Sequence, residues 1–132
     1  MTDNLQQMKT MLSGVLGVDD TSIGLHSNLL KDLAAESIDF IDIAFQIEQT
    51  FNIPGVKPAQ IFPVFLREQS ILFKDGALLP DLKEKLVTEY PFLQDQTIAR
   101  FEREQIYDVF FDVSTLLEYV NYKQKLESPV LV

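Results

Sequence analysis

The N-terminal part of the chain opens with apolar residues at helical spacing and continues into a turn-rich connection. The apolar stripe predicts a helix over residues 4–16. Thr2 or Asp3 is expected to cap its start, and Gly17 stands where a left-handed residue would end it. Residues 17–36 are rich in turn formers but also carry several large apolar residues, so we expect this connection to pack against a core.

Residues 37–51 predict a second helix with two apolar sides and a polar remainder. The face expected to lie in the interior carries Phe40, Ile43, Ile47 and Phe51. A different side carries Ile38, Ile41 and Phe45. Large apolar residues on a solvent face are costly unless a partner covers them, so this second side predicts a docking surface.

The rest of the chain predicts further helices from weaker signals. Residues 58–73 predict one or two short helical turns, residues 75–76 a turn, and residues 80–89 a helix. Residues 94–110 predict one more helical stretch, and residues 114–124 predict a last helix with Ser114 as its cap. No alternating strand pattern persists, so the predicted fold class is all-α.

Composition narrows the classes of partner. The 132 residues are 46% hydrophobic, which is enough for one domain with a real core. The net charge of −9 repels phosphate backbones and anionic lipid, so neither nucleic-acid binding nor membrane-surface binding is expected. Membrane insertion is not expected either, because the sequence lacks a long apolar run. Residues 1–53 hold eight acids and two bases, which makes the N-terminal part the more acidic one. Basic proteins are the expected partners.

Several kinds of chemistry are excluded or made improbable by the residues present. The chain has no cysteine and one histidine, which excludes thiolate sites and disfavours a zinc centre, so we expect no metal site. His26 is expected to be a surface or loop-packing residue without a catalytic role. The start of the sequence lacks a signal-peptide pattern, and no apolar run approaches the ~18 residues needed to span a bilayer, so a cytoplasmic location is expected.

Residues 32–43 read Asp-Leu-Ala-Ala-Glu-Ser-Ile-Asp-Phe-Ile-Asp-Ile. This segment resembles the modification site of acyl carrier proteins, whose usual pattern is Asp-Leu-Gly-x-Asp-Ser-Leu-Asp followed by alternating aliphatic and acidic residues. Ser37 takes the serine position, whereas Ala34 replaces the usual glycine and Glu36 the usual aspartate. Residues 113–120 also resemble the last helix of that family.

The resemblance implies a non-catalytic carrier with 4'-phosphopantetheine, derived from coenzyme A, on Ser37. It would shuttle acyl thioesters between enzymes of fatty acid or specialised lipid biosynthesis. The implied partners are a phosphopantetheinyl transferase and acyl-transfer, fatty-acid or lipid biosynthesis enzymes with basic docking patches. The residues expected to dock them are Glu36, Ile38, Asp39, Ile41, Asp42, Phe45 and Glu48.

Sixty residues, 54–113, separate the second helix from the last, many more than in ordinary family members. We therefore expect an acyl-carrier-protein-like helical bundle with an inserted helical subdomain. Residues 1–132 would form a single carrier domain, with the core at about 3–53 and 105–122 and the insertion at about 58–104. The residues expected to line an acyl pocket are Phe40, Ile43, Ile47, Phe62, Phe65, Phe73, Phe92 and Phe101. The phenylalanines of the insertion would either pack the extra helices or enlarge the interior for a long acyl chain.

Three alternatives stay open from the sequence. The chain could be a peptidyl or aryl carrier of a secondary-metabolite pathway, or an unmodified helical protein-interaction adaptor. Ser37 could also serve only as the cap of its helix. For the acyl carrier, a monomer is expected.

Overall fold

Three long helices form the bundle in the computed structural model, which describes residues 4–127. They are α1 (Asn4–Leu16), α2 (Ser37–Phe51) and α6 (Val113–Glu127). Each of the three packs against the other two. On α2, Ile43, Ile47 and Phe51 are buried, which confirms the predicted interior face. The expected cap of α1, Thr2 or Asp3, lies outside the described residues.

The connection from α1 to α2 packs against the bundle as predicted. Gly17 ends α1 with a left-handed φ of +69°, and its N–H donates to the Ser13 carbonyl at 2.9 Å. A 3-10 turn follows at Asp20–Ser22. Beyond it, Ile23 and Leu29 are buried, so the connection contributes to the core.

Short elements make up the insertion between α2 and α6. They are α3 (Pro58–Ile61), a 3-10 turn at Val64–Glu68, β1 (Phe73–Lys74), β2 (Ala77–Leu78), α4 (Pro80–Glu89), α5 (Asp95–Glu104) and a second 3-10 turn at Tyr107–Phe111. The strands pair antiparallel, and Asp75 and Gly76 turn between them with φ of +53° and +79°. The predicted turn and helices are confirmed. Two-residue strands are too short to show alternation in a sequence.

The boundary of the last helix corrects one prediction. Helix α6 begins at Val113, and Ser114 lies inside its first turn, donating its N–H to the Leu25 carbonyl at 2.9 Å. The expectation that Ser114 caps this helix is therefore wrong.

Buried side chains of the bundle and the insertion form one hydrophobic core. The Phe62 ring, from the insertion, contacts the Phe40 ring of α2 with centroids 5.1 Å apart. The all-α fold class is confirmed, with the small hairpin as an addition. None of the helices within residues 4–127 is long and apolar enough to cross a membrane.

Candidate functional site

Ser37 is the first residue of α2, and it lies exposed at the surface. Glu36 precedes it with an extended backbone and occupies the capping position. The Asp39 carboxylate accepts the Glu36 N–H at 2.8 Å, and the Asp39 N–H donates to the Glu36 carbonyl at 2.9 Å. Because Glu36 and Asp39 close the start of the helix, the interpretation of Ser37 as only the cap is wrong.

The electrostatic surroundings of Ser37 act in two directions. The positive end of the α2 dipole favours a negative group on Ser37, as the sequence predicts. The carboxylates of Glu36 and Asp39 lie within two residues of it along the chain and disfavour such a group. Asp39 already accepts the N–H that precedes the helix. The helix dipole and the two neighbouring carboxylates therefore oppose each other at Ser37.

The residues before Ser37 are held by the core. Leu33 and Ala35 are buried, and the Ala35 N–H donates to the Leu29 carbonyl at 2.8 Å. Ala34, between them, has a φ of +55°, a conformation that favours glycine over residues with a Cβ. The backbone thus adopts a glycine-like conformation at Ala34, where the family pattern usually has glycine. The fold accommodates the strain that the alanine Cβ introduces there.

A polar network that the sequence analysis missed fixes the connection to the segment before α6. The Asn28 side-chain amide donates at 2.8 Å to the Asp112 carboxylate and at 2.8 Å to the Asp108 carbonyl. Arg100 of α5 pairs with the other oxygen of Asp112, which is almost fully buried. No local pattern marks these residues, because they meet only after folding. Through Asp112, the network ties the connection before Ser37 to the insertion.

Three large apolar residues lie exposed along α2, beginning directly after Ser37. We call Ile38, Ile41 and Phe45 the apolar strip; their exposed fractions are 68%, 62% and 55%. The spacing of three and four residues places them on one side of the helix, as predicted. Glu36 and Asp42 are exposed as well. An apolar strip of this size with exposed acids beside it is suited to contact with a partner.

Two of the predicted docking acids have structural partners. Asp39 is half-buried and closes the start of α2 through the Glu36 N–H. Glu48 is half-buried too, and its carboxylate accepts the Val56 N–H at 3.1 Å, holding the chain that leaves the helix. Asp39 and Glu48 therefore also stabilise the two ends of α2, in addition to any contact with a partner.

The predicted pocket residues are brought together in separate groups. Phe40 and Phe62 are in contact, with ring centroids 5.1 Å apart. The rings of Phe65 and Phe92 each contact the Tyr90 ring, with centroids 6.1 Å apart in both pairs. The rings of Phe73 and Phe101 are 5.1 Å apart. Ile43 and Ile47 are fully buried under α2.

Aromatic residues outside the predicted set connect the Phe40–Phe62 pair to the Phe73–Phe101 pair. The resulting aromatic run is Phe40, Phe62, Phe111, Tyr107, Phe110, Phe101 and Phe73, with neighbouring centroids between 4.6 and 5.9 Å apart. Phe40 is half-buried at the end of this run, three residues after Ser37. The aromatic run therefore leads from the start of α2 into the insertion. The dense aromatic composition of residues 107–111 was the available signal for the missing members.

Charged groups outside α2 serve the packing of the insertion. The Glu118 carboxylate of α6 accepts the Gln94 N–H at 2.8 Å and contacts the Thr97 hydroxyl at 3.3 Å. Burial raises the pKa of Glu118 above its usual value, although these two contacts act in the opposite direction.

His26 is exposed. Within residues 4–127, no three His, Asp or Glu side chains come close enough together to hold a metal ion.

Comparison with known proteins agrees with this geometry. A family model described as the phosphopantetheine attachment site matches residues 6–62, which include Ser37 and all of α2. The acyl carrier protein of Guillardia theta is 35% identical over 48 residues, 36% of this chain and 59% of the relative. That of Clostridium acetobutylicum is 31% identical over 48 residues, 36% of this chain and 62% of the relative. This chain thus spans about six tenths of the length of these two relatives.

A longer match exists with the acyl carrier protein of Phaeodactylum tricornutum, which is 30% identical over 66 residues, 48% of this chain and 87% of the relative. No solved structure matches the chain. An exposed primary alcohol at the start of a helix fits covalent attachment of a phosphopantetheine, since no hydrogen bond within residues 4–127 uses that hydroxyl. The attachment-site match and the nearly complete Phaeodactylum match show that the chain belongs to the acyl carrier protein family, whose members are carriers with a covalently attached 4'-phosphopantetheine.

Proposed function

We propose that Ser37 bears the 4'-phosphopantetheine arm and that the protein carries acyl groups on it as thioesters. The observation that carries this proposal is the placement of Ser37 as the exposed first residue of α2, inside the matched attachment region. The buried connection supports it on one side, and the apolar strip begins on the other. In this role the protein performs no catalysis itself.

Attachment would use the Ser37 hydroxyl as a nucleophile. Its oxygen forms a bond to a phosphorus atom of coenzyme A, the bond to 3',5'-adenosine diphosphate breaks, and the hydroxyl proton passes to the phosphopantetheinyl transferase. The arm, when bound, supplies the thiol that this cysteine-free chain lacks. The exposure of Ser37 gives the transferase access to the hydroxyl without unfolding of α2.

Docking of partners would use the apolar strip together with the exposed acids Glu36 and Asp42. The acids steer a basic groove toward α2, and the strip supplies the apolar contact area. Three side chains form a small contact, which suits a shuttle that must dissociate from each enzyme. The transferase and acyl-handling enzymes of fatty acid or specialised lipid biosynthesis are the partners of this proposal.

The interior beneath α2 would hold the acyl chain. Phe40, Ile43 and Ile47 face it from α2, and the aromatic run extends it into the insertion. On this proposal the whole chain acts as one monomeric carrier domain in the cytoplasm, and the insertion serves the cargo. Each methylene that enters the interior contributes ~0.8 kcal/mol.

Intact-mass analysis tests the attachment. The protein is incubated with coenzyme A and a broad-specificity phosphopantetheinyl transferase, and the expected result is the mass increment of one arm. Ser37→Ala should abolish the increment, whereas the matched control Ser70→Ala, also at an exposed serine, should keep it. No increment in the parent protein would favour the unmodified adaptor. An increment in Ser37→Ala would place the attachment elsewhere.

Melting temperatures test the role of the insertion. The protein is loaded on Ser37 with saturated acyl chains of increasing length, and Tm should continue to rise beyond medium lengths as more methylenes are buried. A series that stops rising at medium length would reject an enlarged interior and leave the aromatic rings of the insertion as packing alone.

A further inference from the structure

The side chain of Tyr107 ends in a buried polar atom. Its hydroxyl oxygen is buried and has no hydrogen-bond partner among residues 4–127. Such a group loses its bonds to water without replacement, and it is uncommon in folded proteins. Phenylalanine would fill the same space at no such cost, so the hydroxyl calls for an explanation.

Another tyrosine of the insertion shows how this fold satisfies a buried hydroxyl. Tyr90 is buried, and its hydroxyl donates to the Ala59 carbonyl at 2.6 Å. Burial raises the pKa of both Tyr90 and Tyr107, so each stays a neutral phenol that can donate a proton. The two residues therefore share their chemistry and differ in having a partner.

Tyr107 lies along the aromatic run, close to the end beside Ser37. Its ring contacts Phe111 at 5.2 Å, and Phe111 contacts Phe40 at 5.2 Å, so only one ring separates Tyr107 from the first turn of α2. On its other side Tyr107 contacts Phe110 at 5.9 Å, which continues the run into the insertion. The Arg67 guanidinium lies over the Tyr107 ring at 5.8 Å from its centroid.

We propose that Tyr107 determines cargo specificity by hydrogen-bonding, through its hydroxyl, to an oxygen substituent on the acyl chain. The inference rests on the proposed function, since the chain must be attached to Ser37 and enter beside Phe40. A saturated chain that follows the aromatic run would leave the Tyr107 hydroxyl unsatisfied. A chain with a hydroxyl or keto group at that depth would satisfy it, and a buried polar group discriminates strongly against a ligand that leaves it unpaired. The substrate class is therefore an oxygen-substituted acyl chain.

The first experiment compares unloaded variants. Tyr107→Phe removes a hydroxyl without a partner, so its Tm should equal or exceed that of the parent. Tyr90→Phe is the matched control, and its Tm should fall by about 4 °C because the Ala59 carbonyl loses its donor. A comparable fall for Tyr107→Phe would mean that the hydroxyl already has a resident partner, such as a bound water, and would overturn the proposal.

The second experiment loads Ser37 with dodecanoyl, 3-hydroxydodecanoyl, 3-ketododecanoyl or ω-hydroxydodecanoyl arms from the corresponding coenzyme A esters. At least one oxygenated chain should raise the Tm of the parent above that of the dodecanoyl form. Tyr107→Phe should lose this difference and keep the stabilisation by dodecanoyl. If the oxygenated chains give no advantage, or if the advantage survives in Tyr107→Phe, the proposal is wrong. Mass analysis of each sample reports the attachment separately, and without an arm on Ser37 the proposal falls together with the proposed function.

Discussion

Helix α2 exposes several large apolar side chains to solvent, whereas the insertion buries most of its large aromatic ones. On α2, the apolar strip leaves three such residues in solvent within two turns. In the insertion, Phe62, Phe65 and Phe101 are buried, and most of the exposed apolar residues occur singly. The charge is unevenly spread along the chain as well, because residues 1–53, which include α2, carry a net −6 and residues 54–132 a net −3.

The difference indicates that the surface of α2 and the interior of the insertion have different roles. Exposed apolar residues next to acids suit contact with successive partners, whereas buried rings suit an apolar cargo. The Phe40–Phe62 contact joins α2 to the insertion, and the Asp112 network joins the connection before α2 to it, so neither region is an independent unit in the described chain. The Asp112 network, the surface of α2 and the interior can therefore be tested separately.

The largest effect on stability is expected at Asp112, which links the connection before α2 to the insertion. Asp112→Ala would leave the Asn28 amide and the Arg100 guanidinium without their carboxylate partner, which should cost about 2–4 kcal/mol of unfolding free energy. Asp108→Ala is the matched control, because within residues 4–127 its carboxylate makes only a long surface contact with Lys31 at 3.9 Å. It should cost no more than about 1 kcal/mol. Equal losses in denaturant titrations would show that the network does not join the regions.

Charge reversals on α2 should distinguish an acid that only steers partners from one that also stabilises the helix. Asp42→Lys should slow loading of Ser37 several-fold at low salt and change stability by less than about 0.5 kcal/mol, because Asp42 is exposed. Asp39→Lys should slow loading too, but it should also cost about 1 kcal/mol because the Glu36 N–H loses its acceptor.

Glu84→Lys on the insertion is the control for these reversals, with the same change of charge at an exposed position. It should leave the loading rate unchanged. The effects on α2 should shrink as salt is added. A rate that falls equally for Glu84→Lys would indicate that overall charge, and not the surface of α2, governs docking.

A smaller effect, a gain in stability, is expected from a substitution at Ala34, which precedes Ser37 by three residues. Ala34→Gly should raise the unfolding free energy by about 1 kcal/mol, because it relieves the left-handed φ of +55°. Ala44→Gly, inside α2 and buried, should have the opposite sign. Loss of stability in Ala34→Gly would contradict the strain, and with it the explanation of this departure from the family pattern.

The smallest effect concerns pH and the packing of α6 on the insertion. Because the folded pKa of Glu118 is raised, the protonated form favours folding, and this contribution is lost as pH rises through the folded pKa. Glu118→Gln keeps an oxygen acceptor for the Gln94 N–H without the charge. Relative to the parent, its Tm should gain about 1–2 °C between pH 4 and pH 8. Parallel profiles for the two proteins would contradict the assignment.

Periodicity predicted most of the fold because it reports burial within one helix. The bounds of α1 and α2 and the interior face of α2 followed from it. The Asn28–Asp112 contact could not be predicted, since residues so far apart along the chain leave no local pattern. Helix starts were less certain for the same reason, as Ser114 shows.

The site was predictable where a motif and a helical face coincide. The exposure of Ser37 and of the apolar strip followed from the sequence. The second roles of Asp39 and Glu48 did not, because carboxylates on a helix surface look alike until their backbone donors are known. The buried hydroxyl of Tyr107 was equally hidden, since the orientation of a ring is set by its neighbours.

The central claim is that Ser37 carries an acyl arm, and mass analysis of the protein purified from its own host tests it most directly. Trypsin should release residues 32–67 as one peptide, because proline follows Lys57, and this peptide contains one serine, Ser37, and one threonine, Thr50. The account predicts that the peptide carries the mass of the phosphopantetheine arm, with or without an acyl group, and that fragmentation places it on Ser37. An unmodified peptide in the whole population, or an arm located on Thr50 or outside this peptide, would contradict it.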